Sequence, residues 1–228
     1  MDGNDSTAIG CTKRSAIPWR AGKWHTNGCV CRITEAQVQS RNEMSSQGKR
    51  PLTTIVRADQ IDWPDRLFDA LKRADIRQVG YVPDAGHSRL IARCKADTDI
   101  RDVVLTTEEE GIAMAAGAWL GGQRSALLMQ SSGVGNCVNM LGLIRACRFP
   151  MLMIVTMRGE WEEFNPWQVP MGSIVEPTLK LCETDVAKIE TPEQVVPAVQ
   201  NAVQLAFGGD RAAAVLLSQR LIGRKVWK

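Results

Sequence analysis

The sequence predicts an α/β fold: a three-layer domain in which a roughly six-stranded parallel sheet carries helices on both faces. Two observations predict it. From Asp59 onward, apolar runs of strand length alternate with amphipathic stretches of helical length, the pattern that parallel sheets require. Runs such as Ala126-Leu127-Leu128-Met129 and Met151 to Val155 are apolar at every position, as expected of strands covered on both sides.

Taken in order, Ile61 to Ala74 reads as the first helix, with Trp63, Leu67, Phe68 and Leu71 on one face. Then come the strand Gln78 to Val82, the turn Pro83-Asp84-Ala85-Gly86, a helix from Ser88 to Cys94 and the strand Asp102 to Leu105. Helix Glu109 to Leu120 stops at Gly121-Gly122, by the usual C-terminal glycine chemistry. Strand Ser125 to Met129, the glycine loop Ser131 to Gly135, helix Asn136 to Cys147 and strand Met151 to Val155 follow. A longer loop, Arg158 to Pro170, leads to helix Ile174 to Cys182, a short strand at Ala187-Lys188-Ile189, helix Pro192 to Phe207 and strand Ala213 to Leu217.

Residues 1–55 lack sustained periodicity and read as a mobile, disordered extension preceding a domain at 56–228; an ordered arm that wraps a partner is the alternative. Met44-Ser45-Ser46 reads as an alternative start. The net charge of +3 is unevenly split, with nine basic against four acidic residues in the first 58 and 19 against 21 in the rest. The domain therefore presents no nucleic-acid face. The longest apolar run, near Pro150 to Met157, is far shorter than the roughly 20 residues of a membrane helix. Seven cysteines, an odd number, several within apolar stretches, fit a reduced cytoplasmic protein. His25, Cys29 and Cys31 form at most half a metal site, because no second pair stands at zinc-like spacing.

Two strand-to-helix handovers carry the chemistry. Val103-Val104-Leu105 runs into Glu108-Glu109-Glu110, and Ala126 to Met129 runs into Gln130 to Asn136; in open α/β sheets such carboxyl ends are where ligands bind. At the first turn of an apolar helix the positive helix end favours an ionised carboxylate while burial favours the neutral form, so such a group exchanges protons with a ligand. Successive helical side chains point about 100° apart, so one of the three glutamates faces the cleft and the others are solvated or cap the helix. A purely charged first turn is the competing reading. Ser131 to Asn136 is a poor dinucleotide cradle, since Val138 stands where the third glycine belongs. It still offers a backbone that a flat aromatic ring can approach.

Glu108 to Gly122 followed by Ser125 to Asn136 resembles the pyrimidine-binding domain of thiamine-diphosphate-dependent enzymes. It is similar to the alpha subunits of sulfopyruvate decarboxylase and to the related phosphonopyruvate decarboxylases. Val82-Pro83-Asp84, Pro150 to Ile154, Arg158-Gly159 and Gln168 to Gly172 add to the resemblance, which covers about residues 59–222. It implies that Glu108, nine residues before Gly117, is the catalytic glutamate, bonded to a ring nitrogen of the aminopyrimidine so that the cofactor's own amine can deprotonate its thiazolium. Gly133, Val134, Gly135 and Asn136 are the implied cofactor-binding backbone.

The family's Gly-Asp-Gly motif for diphosphate and Mg2+ has no counterpart here, and Gly208-Gly209-Asp210 reads as a turn before the last strand. The resemblance therefore implies a hetero-oligomer in which a beta subunit holds both. For a small anionic 2-oxoacid substrate, Arg158 is the leading cation, followed by His87 and Arg89, with Asp84 and Gln130 at the cleft. The competing readings are a salt bridge from Arg158 to Glu160, Glu162 or Glu163 and a solvated loop position for His87. An acetolactate-synthase-like carboligase and a non-catalytic cofactor-binding or regulatory subunit are the alternative functions.

Overall fold

The computed structural model describes residues 52–54, 63–223 and 225–227. The readings made for His25, Cys29, Cys31 and Met44 lie outside the described residues. So do residues 61 and 62 of the first predicted helix.

The elements, in chain order, are β1 (Leu52–Thr54), α1 (Trp63–Arg73), β2 (Ile76–Tyr81), α2 (Ser88–Ala96), β3 (Arg101–Val104), α3 (Glu108–Leu120), β4 (Arg124–Gln130) and α4 (Ser131–Cys147). Then follow β5 (Met151–Thr156), α5 (Gln168–Leu181), β6 (Asp185–Ile189), a 3-10 turn (Pro192–Gln194), α6 (Val195–Gly209), β7 (Ala212–Leu217), α7 (Gln219–Ile222) and β8 (Lys225–Trp227). Six strands form one parallel sheet in the order β3-β2-β4-β5-β7-β6. The expected sheet is therefore present. In addition, β1, within the stretch read as the extension, pairs antiparallel with β8.

The sheet is covered on both faces. Val79, Tyr81, Leu128, Ile154 and Val215 pack against α1, α2 and α6, while Leu127, Met129, Met153, Val155 and Leu216 pack against α3, α4 and α5. Strands β5 and β7 are buried at all six positions each, which explains their lack of alternation. The chain runs from β2 out to β3 and returns to β4 on β2's other side. That reversal opens a crevice at the carboxyl ends of β2 and β4, the place where α/β sheets bind ligands.

Two elements depart from the sequence reading, both at glycine or proline. The expected glycine loop is the first turn of α4, which begins at Ser131 directly after β4. Ser131 and Val134 are fully buried, and this packing overrides the poor helix propensity of Ser-Ser-Gly-Val-Gly. Helix α5 begins at Gln168, six residues before the expected Ile174. Pro170 falls in the first turn, where its missing N–H costs nothing. Gly172 lets the helix press on the preceding loop, since a Cβ there would lie 2.0 Å from the Arg158 carbonyl oxygen.

Candidate functional site

The three adjacent glutamates separate by direction. Glu108, the first residue of α3, is only 8% exposed, and its Oε2 accepts a 2.8 Å hydrogen bond from Asn136 Nδ2. Glu109 is exposed. Glu110 turns back to accept the Thr106 amide at 2.8 Å, just ahead of the N-cap Thr107. Glu108 thus lies buried at the positive end of α3 with one side-chain donor on its carboxylate.

Helix α4 presses against it. A Cβ on Gly133 would lie 2.5 Å from Glu108 Cγ, Cδ and Oε1, so a residue with no side chain is needed for the carboxylate to occupy this place. Gly135 and Asn136 are exposed and line a groove of about 700 Å³ that continues to Leu181 and Cys182. Gly133 and Asn136 therefore gather around Glu108, with Val134 buried in the core beside them. Cys137, the next residue on the buried side, has its thiol pushed up to about 12 by burial and by Glu108 and Glu109; it is a neutral packing residue, not a nucleophile.

The second cluster lies across the carboxyl ends of β2, β4 and β5. The Asp84 carboxylate accepts from the Gly86 amide at 3.1 Å, from Thr156 Oγ1 at 2.7 Å and from Gln130 Nε2 at 3.2 Å. Gln130 is in turn oriented by the Ser132 hydroxyl, which donates to its Oε1 at 2.9 Å. His87 is fully buried, against the expectation of a solvated loop histidine. Its Nε2 lies 3.2 Å from the Ile154 carbonyl oxygen, while Nδ1 has no hydrogen-bond partner. Burial pushes its pKa down, against the opposing influence of Asp84, so the ring is a neutral packed group and a poor cation for an anionic substrate.

Arg158 follows β5 and is 8% exposed. Its guanidinium donates from Nε to Glu163 Oε2 at 2.7 Å and from a terminal nitrogen to Glu163 Oε1, a bidentate pair, and it lies over the Phe164 ring at 5.0 Å. Of the three salt-bridge partners considered, the structure selects Glu163. That carboxylate also accepts from the Gly159 and Asn165 amides and from Gln219 Nε2. Burial pushes the Glu163 carboxyl up, but the Arg158 fork and the two amides outweigh it and hold the group down at about 2. Arg89 pairs with Asp65 of α1, on the face opposite α3 and α4.

Sequence reasoning missed Thr156 and Gln219. Thr156 had a usable signal, a polar residue closing an apolar buried strand. Gln219 had none, because it stands 56 residues from Glu163, the group it bonds. Asp210 caps α6 with φ 50° at the start of β7, and in a parallel sheet that is the edge opposite Glu108. No group of three or more His, Cys, Asp or Glu arranged to hold a metal occurs among the described residues. No helix among them is long and apolar enough to cross a membrane.

A parallel α/β domain with a buried helix-end glutamate beside a helix whose first turn carries glycine is a cofactor-binding domain of the thiamine-enzyme class. The family described as thiamine pyrophosphate enzyme, N-terminal TPP binding domain, matches residues 62–168. The chain is 32% identical over 154 residues to the sulfopyruvate decarboxylase subunit alpha of Methanococcus maripaludis, covering 67% of this chain and 92% of that one. To the corresponding subunit of Methanocaldococcus jannaschii it is 36% identical, over 60% of this chain and 81% of that one. Against the phosphonopyruvate decarboxylase of Streptomyces viridochromogenes it is 34% identical over 64% of this chain but spans only 36% of that protein. A 2-oxoglutarate:ferredoxin oxidoreductase from Magnetococcus marinus shares the fold alone, with TM-score 0.55 and 14% identity over 82% of this chain and 35% of that one. The chain belongs to the thiamine pyrophosphate enzyme family, on the branch that holds the sulfopyruvate decarboxylase alpha subunits.

Proposed function

We propose that this chain is the alpha-type subunit of a thiamine-diphosphate-dependent decarboxylase of a small anionic 2-oxoacid, sulfopyruvate or phosphonopyruvate, active together with a beta-type subunit. The observation that carries this reading is the buried Glu108 carboxylate, held by Asn136 and given room by the missing side chain at Gly133. The residues fit the aminopyrimidine half of the cofactor. Glu108 would hold a proton at a ring nitrogen, Asn136 would orient the carboxylate, and Gly133 and Val134 would let a flat ring approach the helix backbone. When bound, the cofactor supplies the electron sink for the pair left behind by departing carbon dioxide.

The described residues do not fit the metal and diphosphate half. They offer no carboxylate cluster, and Asp210 lies at the opposite edge of the sheet. Mg2+ and diphosphate are therefore assigned to a beta-type subunit, a partner that the name 'subunit alpha' of the relatives implies. Calorimetry tests the division. The full chain alone is expected to bind thiamine diphosphate weakly, with no Mg2+ dependence and no decarboxylation, and both are expected to appear on adding the beta-type subunit. Tight Mg2+-dependent binding by this chain alone would overturn it.

A further inference from the structure

The Asp84 cluster contains a residue whose only evident purpose is to aim another. Thr156 closes β5, is 2% exposed and stands in a strand whose other five residues are apolar. A hydroxyl there must be hydrogen-bonded or it costs about 1–3 kcal/mol. It has two acceptors within reach, Asp84 Oδ2 at 2.7 Å and the Met129 carbonyl oxygen at 3.4 Å. It has one proton, and the shorter, charge-assisted bond takes it. Gly86 makes room for the pair, because a Cβ there would lie 2.8 Å from Asp84 Oδ2 and 2.9 Å from Thr156 Cγ2.

On the other oxygen, Gln130 reaches Oδ1 at 3.2 Å and cannot turn its amide round while Ser132 donates to its Oε1. Donors from the ends of β4 and β5 thus grip the two oxygens separately and hold a carboxylate that β2 delivers. This is the arrangement expected of a group that must present one orientation to a ligand.

Resting on the decarboxylase reading, we propose that Thr156, with Gln130 as second support, is the positioning residue that orients the Asp84 carboxylate toward the 2-oxoacid. Gln130 then acts through Asp84 and does not itself contact the ligand.

A double-mutant cycle with the beta-type subunit present and sulfopyruvate as substrate tests this. Thr156→Val removes the hydroxyl at nearly constant shape and is expected to lower kcat/KM about tenfold to a hundredfold, the range of one hydrogen bond to a charged group. Thr156→Ser is expected to restore it. In an Asp84→Ala background the Thr156→Val loss should vanish, because its target is gone. Additive losses, or failure of Thr156→Ser to restore activity, would mean that Thr156 merely packs β5, and would overturn the proposal. If Thr156→Val does not fold, Gln130→Met, on a half-buried side chain, runs the same cycle with the same two outcomes. Thermal unfolding of the full chain alone supplies a cycle that needs no activity. Non-additive melting shifts support the Thr156–Asp84 pair and additive shifts overturn it. Coupled melting shifts in a chain whose wild-type complex leaves sulfopyruvate intact would sink the decarboxylase reading alone.

Discussion

Gly133→Ala separates stability from chemistry. Its methyl would lie 2.5 Å from three Glu108 atoms, whereas relaxed carbon contacts need about 3.5–4.0 Å, so α4 or the carboxylate must yield by about 1 Å. The φ of Gly133 is not in the left-handed region, so alanine adds no backbone strain. Inside α4 it gains about 1 kcal/mol of helix propensity, set against about 1–3 kcal/mol of overpacking. The net stability change is therefore at most about 2 kcal/mol. Displacing a catalytic group by 1 Å, by contrast, costs roughly 100-fold in rate. Thermal unfolding of the chain and steady-state decarboxylation with the beta-type subunit should show a small melting shift beside a loss of about two orders of magnitude in kcat/KM. Gly142→Ala, where the methyl meets nothing within 4 Å, should raise the melting temperature of the chain instead. Wild-type turnover in Gly133→Ala would refute the reasoning, because α4 would then give way there without disturbing Glu108.

Glu108→Gln should lower turnover by about 100-fold to 10,000-fold, whereas Glu109→Gln should cost little and Glu110→Gln at most about 1 kcal/mol of stability, since its amide oxygen still accepts the Thr106 N–H without the charge; an essential Glu110 would show that the wrong carboxylate has been assigned. Arg158→Ala leaves Glu163 buried without its partner, so it should destabilise the chain by about 3–5 kcal/mol and impair sulfopyruvate, phosphonopyruvate and pyruvate alike. A loss confined to the first two would return Arg158 to the substrate. The Glu163 carboxyl, held at about 2 when folded, contributes stability that is present above its unfolded pKa of about 4.3 and lost as pH falls from there toward 2, and Glu163→Gln should flatten the unfolding profile in that window. His87, whose folded pKa is lowered, stays neutral while the unfolded chain takes up a proton below about 6.5, so stability should fall with pH below that point, and His87→Gln should remove that slope.

The sequence by itself determined the class of fold and the place of the chemistry. Apolar runs such as Met151 to Val155 and the acidic triplet at the head of an apolar helix are local patterns, and local patterns survive without knowledge of what packs against them. Resemblance singled out Glu108 among three equal neighbours, and its position in the structure is the inward one. Tertiary structure alone decided where α4 and α5 begin, because buried contacts of Ser131 and the close passage at Gly172 outweighed the glycine and proline signals. It alone chose Glu163 over Glu160 and Glu162 for Arg158, brought Gln219 to Glu163, buried His87 under β5, and brought Thr156 to Asp84 over 72 residues of chain. The physical reason is the parallel sheet itself: its carboxyl edge assembles residues from successive crossovers, so the partners of each site residue are neighbours in strand order and distant in sequence.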